Sequence, residues 1–374
     1  MLNYKYLRRI DLKMILLIFI LMIISLFVIS SMTETIEYSG FLTSYVKNQI
    51  QWFVLGWVVF IFFAGFDYRK LYQYTWVFYF VMIVLLLGLY IAAPIQSVHR
   101  WYRIPLIGMN VQPSEYAKLI VVMCIAWYIE KNQNSMHNFS ATLMLLFFVL
   151  VPFILILKQP DLGTALVLYP ITLIMLYFSN AHKKTIRVMT YLILVSIVFI
   201  GLIFSNVLPH EKMKPFFLNF LKEYQYERLN PSTYHQNASK TAIAIGGIFG
   251  TGYKKSEFAA QKWLPAAHTD SAFAAFAEQF GLFGLLILLI IFYAIVHLSF
   301  SIVLQTKDYY GRLIASGIAV YLAMHIIVNI GMMCGFLPIS GVPLLLITYG
   351  GNSVLTTMAA LGILQSIYSR RVRF

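Results

Sequence analysis

Apolar residues in this 374-residue chain come in runs long enough to cross a bilayer, and the runs recur almost from end to end. A spanning helix needs about 20 mostly apolar residues, and helices satisfy their own backbone in hydrocarbon. We read ten such runs: Met14 to Met32, Ile50 to Phe66, Thr75 to Ala93, Pro113 to Ile129, Ala141 to Leu157, Leu162 to Ser179, Ile186 to Leu208, Ala272 to Leu304, Leu313 to Phe336 and Pro343 to Tyr368. With 60% hydrophobic and 11% charged residues and a mean hydropathy of +0.77, a soluble domain is excluded. The expected fold class is all-α: a polytopic membrane protein with about ten transmembrane helices, residues 1–374 forming one transmembrane domain. The eighth run exceeds one crossing and is expected to start outside the lipid, and the runs meeting at Lys158-Gln159-Pro160-Asp161 are also compatible with a re-entrant hairpin.

One polar interruption, about 209–271, separates the seventh and eighth runs. Loops of that length are functional or disordered. Placing the N-terminus in the cytoplasm gathers Lys5, Arg8, Arg9, Lys13, Arg69, Lys70, Lys131, Lys183, Lys184, Arg187, Lys307, Arg312, Arg370, Arg371 and Arg373 on that side. The opposite short loops hold Lys47, Arg100, Arg103 and Lys158. Both termini are therefore expected in the cytoplasm and the long loop outside it. The first run is too long for a signal-peptide core and is expected to remain as a span.

The net charge of +14 has a topological explanation first, since basic loops fix orientation and touch anionic lipid headgroups. Its scatter over short loops argues against nucleic acid as a partner. The outward loop differs: Lys212, Lys214, Lys222, Arg228, Lys240, Lys254, Lys255 and Lys262 outnumber Glu211, Glu223, Glu227 and Glu257. That surplus suits an anionic ligand or an ordinary solvated surface.

Ionisable residues in or beside spans tend to be paired or functional. Glu115 precedes Lys118 by three residues in Gln112-Pro113-Ser114-Glu115-Tyr116-Ala117-Lys118, so the two share a helix face, as a structural ion pair or as part of a polar cleft. Asp161 opens an apolar run after Pro160, which is good capping chemistry; together with Lys158 it could also line the same outward cavity as Glu115. His268-Thr269-Asp270 ends the long loop, where Asp270 could cap the next helix, act as a base, or both. A carboxylate against apolar surface gains basicity and becomes a general base near neutral pH.

Glycine runs at Gly246-Gly247-Ile248-Phe249-Gly250-Thr251-Gly252 and Tyr349-Gly350-Gly351-Asn352-Ser353 match neither a P-loop nor a dinucleotide fingerprint, so no nucleotide or organic cofactor is expected. Close helix contact or broken-helix geometry accounts for such glycines. Cys124 and Cys334 form no pair spacing or metal motif.

Seven motifs in order resemble a known family. They are Gln112-Pro-Ser-Glu115-x-x-Lys118, Gln159-Pro-Asp161-Leu-Gly-Thr-Ala, Ala242-Ile with the following glycines, Leu264-Pro-x-x-His268-Thr-Asp270, Asn329-Ile-Gly-Met, Leu337-Pro-Ile-Ser-Gly-Val-Pro343 and Tyr349-Gly-Gly-x-Ser353. The chain is similar across almost its whole length to the SEDS family (shape, elongation, division and sporulation) of RodA, FtsW and SpoVE, most of all to the RodA branch. Departures are Ala238-Ser239 for the commoner Gln-Ser, Ser271 for a frequent Phe, Leu344-Leu345-Leu346 for Pro-Leu-Pro-Phe, and Asn352 for Ser. They leave the acids intact.

The resemblance implies a ten-span peptidoglycan glycosyltransferase in the bacterial cytoplasmic membrane. Such an enzyme polymerises lipid II into a glycan strand at the outer face, partnered by a class B penicillin-binding protein transpeptidase. It matches Asp270 to the family's essential loop aspartate, the general base; Glu115 and Lys118 to the central pair; Asp161 to the Gln-Pro-Asp aspartate; and Arg100 with Trp101 to an Arg-Trp element. Transfer from a pyrophosphate donor also needs positive charge at the leaving group, from loop cations such as Arg228 with or without Mg2+ or Mn2+. A flippase for the lipid-linked precursor would use the same cavity without chemistry, and a scaffold of the wall-synthesis complex would leave the acids dispensable.

Overall fold

The computed structural model describes residues 4–371 apart from 34–39, 93–97, 105–108, 160, 206, 209–213, 216–225, 227–228, 257 and 259–260. The described chain is built from helices α1 (Leu12–Met32), α2 (Ser44–Gly65), α3 (Leu71–Gly88), α4 (Pro113–Lys131), α5 (Phe139–Lys158), α6 (Leu162–Phe178), α7 (Lys183–Phe204), α8 (Tyr234–Gly246), α9 (Ala272–Gln305), α10 (Tyr309–Met333) and α11 (Gly351–Arg370). One antiparallel hairpin, β1 (Tyr102–Ile104) and β2 (Met109–Val111), pairs Tyr102 with Val111 and Arg103 with Asn110. Helix starts follow local chemistry: Asp11, Thr43, Asp161 and Asp308 accept backbone N–H bonds in the first turns of α1, α2, α6 and α10, and Pro113 occupies the first turn of α4.

Among the described residues, seven helical stretches are long and apolar enough to cross a membrane: α1, α2, Tyr68–Gly88, α5, α7, α9 and α10. α6 is shorter at 17 residues. α4 carries Glu115, Lys118, Glu130 and Lys131, and α11 is rich in Ser, Thr and Gln. α4 and α11 are mostly buried, so neighbouring helices replace lipid around their polar groups. α7 is the opposite case: among its described residues only Met189 and Ile203 are buried. Where α2 crosses α11, Gly362 lies against the Phe60 backbone and Gly56 against Met358, the close approach that small residues permit.

Three features depart from the reading of the apolar runs. The last run was expected to be helical from Pro343, but α11 begins at Gly351. Residues 343–350 instead form a segment outside any helix, with Leu344, Leu345, Leu346 and Ile347 fully buried or nearly so. Non-helical backbone at depth survives only when its polar groups are met inside the protein, and here they are. Ser25 Oγ donates to the Ile347 carbonyl at 2.8 Å, the Leu344 N–H donates to Thr348 Oγ1 at 2.8 Å, and the Tyr349 N–H donates to the His268 carbonyl at 3.0 Å.

The 34-residue α9 is two helices broken at Gly281, whose φ of 61° and ψ of −162° exclude an ordinary side chain. Its first part, Ala272–Gln279, is buried throughout, which explains why the run exceeds one crossing. The glycine run of residues 246–252 docks at the break: the Thr251 and Gly252 N–H groups donate to the Glu278 and Gln279 carbonyls, and the Leu282 and Phe283 N–H groups donate to the Gly247 and Ile248 carbonyls. Finally, the polar interruption is not all loop. It contains α8, which packs on α9 and α10.

Candidate active site

A cavity of about 860 Å³ opens among the ends of α2, α4, α6, α8, α9 and α11. Its wall includes Trp52, Arg100, Trp101, Gln112, Glu115, Asp161, His235 and Asp270, with the segments 339–343 and 348–353. Five positions singled out in the sequence thus meet in one space: Arg100, Trp101, Glu115, Asp161 and Asp270.

Asp161 is buried and fully engaged. Oδ2 accepts from Ser114 Oγ at 2.7 Å, Thr164 Oγ1 at 2.9 Å and Gln112 Nε2 at 3.0 Å, while Oδ1 accepts from the Thr164 N–H at 3.2 Å. It therefore caps α6 and ties that helix to the start of α4. Gln112 carries the network outward, since its Oε1 accepts from Trp101 Nε1 at 3.1 Å. Arg100 is fixed beside it by an Nε donation to the Gln159 carbonyl at 2.9 Å. The hairpin is held over the cavity by Asn352, whose Nδ2 donates to the Asn110 carbonyl at 2.7 Å.

Glu115 and Lys118 form the expected ion pair, Nζ to Oε1 at 2.8 Å, with side-chain exposures of 7% and 1%. Lys118 stands behind the wall rather than in it, and its Nζ also lies 2.9 Å from His325 Nε2. The second carboxylate oxygen of Glu115 has no hydrogen-bond partner in the structure, although Glu115 is on the cavity wall. A buried carboxylate oxygen without a donor is costly, so the Lys118 bond to the other oxygen carries the compensation for this charge.

Asp270 is half-buried at the end of a tight turn in which the Thr269 and Ser271 N–H groups both donate to the Ala266 carbonyl. Ser271, not Asp270, occupies the cap position of α9. The turn is pinned from two sides: Asn329 Nδ2 donates to the Asp270 carbonyl at 3.2 Å, and His235 Nε2 lies 2.7 Å from Ser271 Oγ. Burial pushes the His235 imidazole below its ordinary value of 6.5, with the nearby Asp270 charge acting in the opposite direction.

The remaining candidates lie elsewhere. His268 stands behind the wall with its ring centroid 5.0 Å from that of Tyr45 and 5.9 Å from that of Tyr349, and burial lowers its pKa. Lys158 is exposed at the C-terminal end of α5 and does not line the cavity. Arg228 lies outside the described residues. The sequence did not mark His235 and Gln112 as wall residues, nor Ser114, His325 and Asn329 as the groups behind the wall. Gln112 and Ser114 stand beside Glu115 in one motif, which was a usable signal, and Asn329 opens a motif of its own. His235 and His325 had none, because only the packing of α8 and α10 brings them near. Among the described residues, no group of three or more His, Cys, Asp or Glu side chains could hold a metal ion. Asp161 directs its oxygens to four protein donors and so is not a ready metal ligand.

The family model described as "Cell cycle protein", covering FtsW, RodA and SpoVE, matches residues 11–372. The chain belongs to the FtsW/RodA/SpoVE family. Peptidoglycan glycosyltransferase MrdB of Escherichia coli K12 is 31% identical over 97% of this chain and 94% of its own length. The Helicobacter pylori protein of the same name is 32% identical over 86% of this chain and 81% of its own length. Among solved structures, a chain from work on how a peptidoglycan synthase complex coordinates polymerization and crosslinking superposes with a TM-score of 0.74 at 20% identity, covering 98% of this chain and 99% of that one. At that identity the structural match speaks for the fold. As a member of the FtsW/RodA/SpoVE family, the chain is a multi-pass membrane protein with the helical architecture described above.

Proposed function

We propose that this protein is a peptidoglycan glycosyltransferase that polymerises lipid II, with Asp270 as general base. Family membership and the activity named for its E. coli and H. pylori relatives support the reaction class. The observation that carries the reading is the meeting of Asp270, Glu115 and Arg100 on the wall of one cavity. Fold likeness alone would not license an activity; the placement of these groups supplies the chemistry.

In the transfer, an acceptor-sugar hydroxyl oxygen bonds to the donor's anomeric carbon as the bond from that carbon to the pyrophosphate oxygen breaks. Asp270 takes the hydroxyl proton, and the polyprenyl pyrophosphate departs with the bonding electrons. Arg100 provides positive charge on the wall where the pyrophosphate gathers charge. Glu115 places a carboxylate on the same wall, where its charge, held by Lys118, helps to orient the substrate's sugar hydroxyls. Mg2+ or Mn2+ would enter with the donor pyrophosphate and add positive charge there, since such ions are commonly bound through substrate phosphates and one or two carboxylates.

Ten spans, cytoplasmic termini and a cavity on the outer face of the cytoplasmic membrane complete the proposal, because lipid II presents its sugars there. A class B penicillin-binding protein transpeptidase is the proposed partner, supported by the origin of the superposed chain in a synthase complex. The test is glycan formation from purified lipid II by the detergent-solubilised protein with its co-purified transpeptidase, comparing wild type with Asp270→Ala. Polymer from the wild type alone is expected. Polymer from neither, with lipid translocation observed in vesicles, would replace the polymerase reading by a flippase.

A further inference from the structure

α10 places His325 and Asn329 one turn apart on the same face, and both are fully buried. Neither lines the cavity. Asn329 Nδ2 donates to the Val342 carbonyl at 2.8 Å and to the Asp270 carbonyl at 3.2 Å. His325 Nδ1 lies 3.2 Å from the Pro343 carbonyl, and its Nε2 lies 2.9 Å from Lys118 Nζ. A carbonyl only accepts and an ammonium only donates, so the tautomer follows: Nδ1 carries the hydrogen and Nε2 accepts from Lys118.

The two side chains therefore grip consecutive carbonyls of one non-helical segment, and each reaches beyond it. Asn329 reaches the backbone of Asp270, and His325 reaches Glu115 through Lys118. Polar side chains in a spanning helix are costly unless engaged, and the α10 backbone needs neither of them. Val342 and Pro343 themselves line the cavity, so the grip also shapes its wall.

On the reading that this cavity transfers sugars, we propose that His325 and Asn329 are positioning residues for that transfer. Acting through the Val342–Pro343 backbone, they set the placement of Asp270 relative to the Glu115–Lys118 pair. Neither touches the substrate.

The experiment measures steady-state polymerisation of lipid II by the intact protein with its transpeptidase partner. Variants are His325→Leu, Asn329→Leu, the double variant and His325→Gln, each with a thermal unfolding curve. Misplacement of reacting groups by about 1 Å costs up to roughly a hundredfold, so each leucine variant is expected to lose about tenfold or more in kcat. KM for lipid II should stay within about twofold, since a positioning defect appears in turnover rather than in uniform binding. The double variant should fall little further than the worse single one, because both break the same tie. His325→Gln, which keeps an acceptor and a donor, should recover most of the rate. Wild-type turnover in the leucine variants would overturn the proposal. So would a double loss equal to the product of the singles, or His325→Gln as impaired and as thermally destabilised as His325→Leu. No polymer from the wild type would remove the sugar-transfer reading, and this proposal with it; an active wild type with indifferent variants rejects the positioning role alone.

Discussion

Asp161 and Asp270 share a cavity wall but are held in different ways, and the difference sorts their roles. Asp161 accepts from three side chains and one backbone N–H, so its charge is spent inside the protein, where it joins α4 to α6. Asp161→Asn puts an amide donor among those donors; we expect a loss of about 1–3 kcal/mol in stability, as for other broken buried polar contacts, read as a lowered melting temperature. The Glu115–Lys118 pair is buried as well. Removing one partner strands the other, so Glu115→Gln and Lys118→Met should each destabilise by about 3–5 kcal/mol, and the double variant by less than their sum, because buried pairs are dearer to break than to replace. A double-variant melting curve at the sum of the singles would reject that coupling. His235 and His268 contribute to the acid side of the stability profile. Burial holds both imidazoles below 6.5 in the folded state, so the unfolded chain binds more protons as acidity rises. Their contribution to stability is therefore intact above the unfolded value near 6.5 and declines as pH falls through it towards the folded values. Melting in detergent between pH 8 and pH 5.5 should show this slope, and replacing both histidines by Gln should reduce it. Asp161 and the Glu115–Lys118 pair were legible in the sequence from helix-start chemistry and i,i+3 spacing. His235 and His325 were not, because their partners lie 36 and 207 positions away along the chain.

Breaks in helices organise this molecule as much as the helices do. Gly281 interrupts α9, and the glycine run before it supplies backbone partners for the freed groups. A Cβ at Gly281 would strike the Gly250 nitrogen and the Ile248 backbone, and one at Gly250 would strike the Gln279 carbonyl. Gly281→Ala and Gly250→Ala should each fail to accumulate as folded protein or melt far below wild type, since backbone strain of about 1–3 kcal/mol adds to the clash. Gly201→Ala is the control: nothing lies within 4 Å of the added carbon in α7, so folded yield should match wild type. The length of the eighth run hinted at a break, but its position was not readable. An apolar buried half-helix and an apolar lipid-facing one look alike in sequence. The same ambiguity hid the segment 343–350, which is as apolar as a span yet is held open by side chains from α1 and α10 and by its own threonine.

At the scale of the whole chain, apolar run length located the helices well, and the seven motifs located the family. The paired strands β1 and β2 and helix α8 were not anticipated, because each is stabilised by packing over the cavity rather than by an apolar repeat. The proposed topology is testable after Cys124 and Cys334 are replaced by serine. Cysteine at exposed Ser232 should react with an impermeant thiol reagent applied outside intact cells, and cysteine at Lys307 only after the membrane is opened. Reversed labelling would invert the molecule and remove the cavity from the face where lipid II is polymerised.

The central claim is that Asp270 removes the acceptor proton, and Asp270→Asn separates that act from binding because it keeps size and polarity. The measurement is lipid II binding and polymerisation by the same purified Asp270→Asn complex. Affinity within about threefold of wild type and a rate lowered about a hundredfold or more, the scale of general-base catalysis, is the predicted result. A variant that polymerises within a few-fold of wild type would contradict the account and leave Asp270 as part of the turn alone.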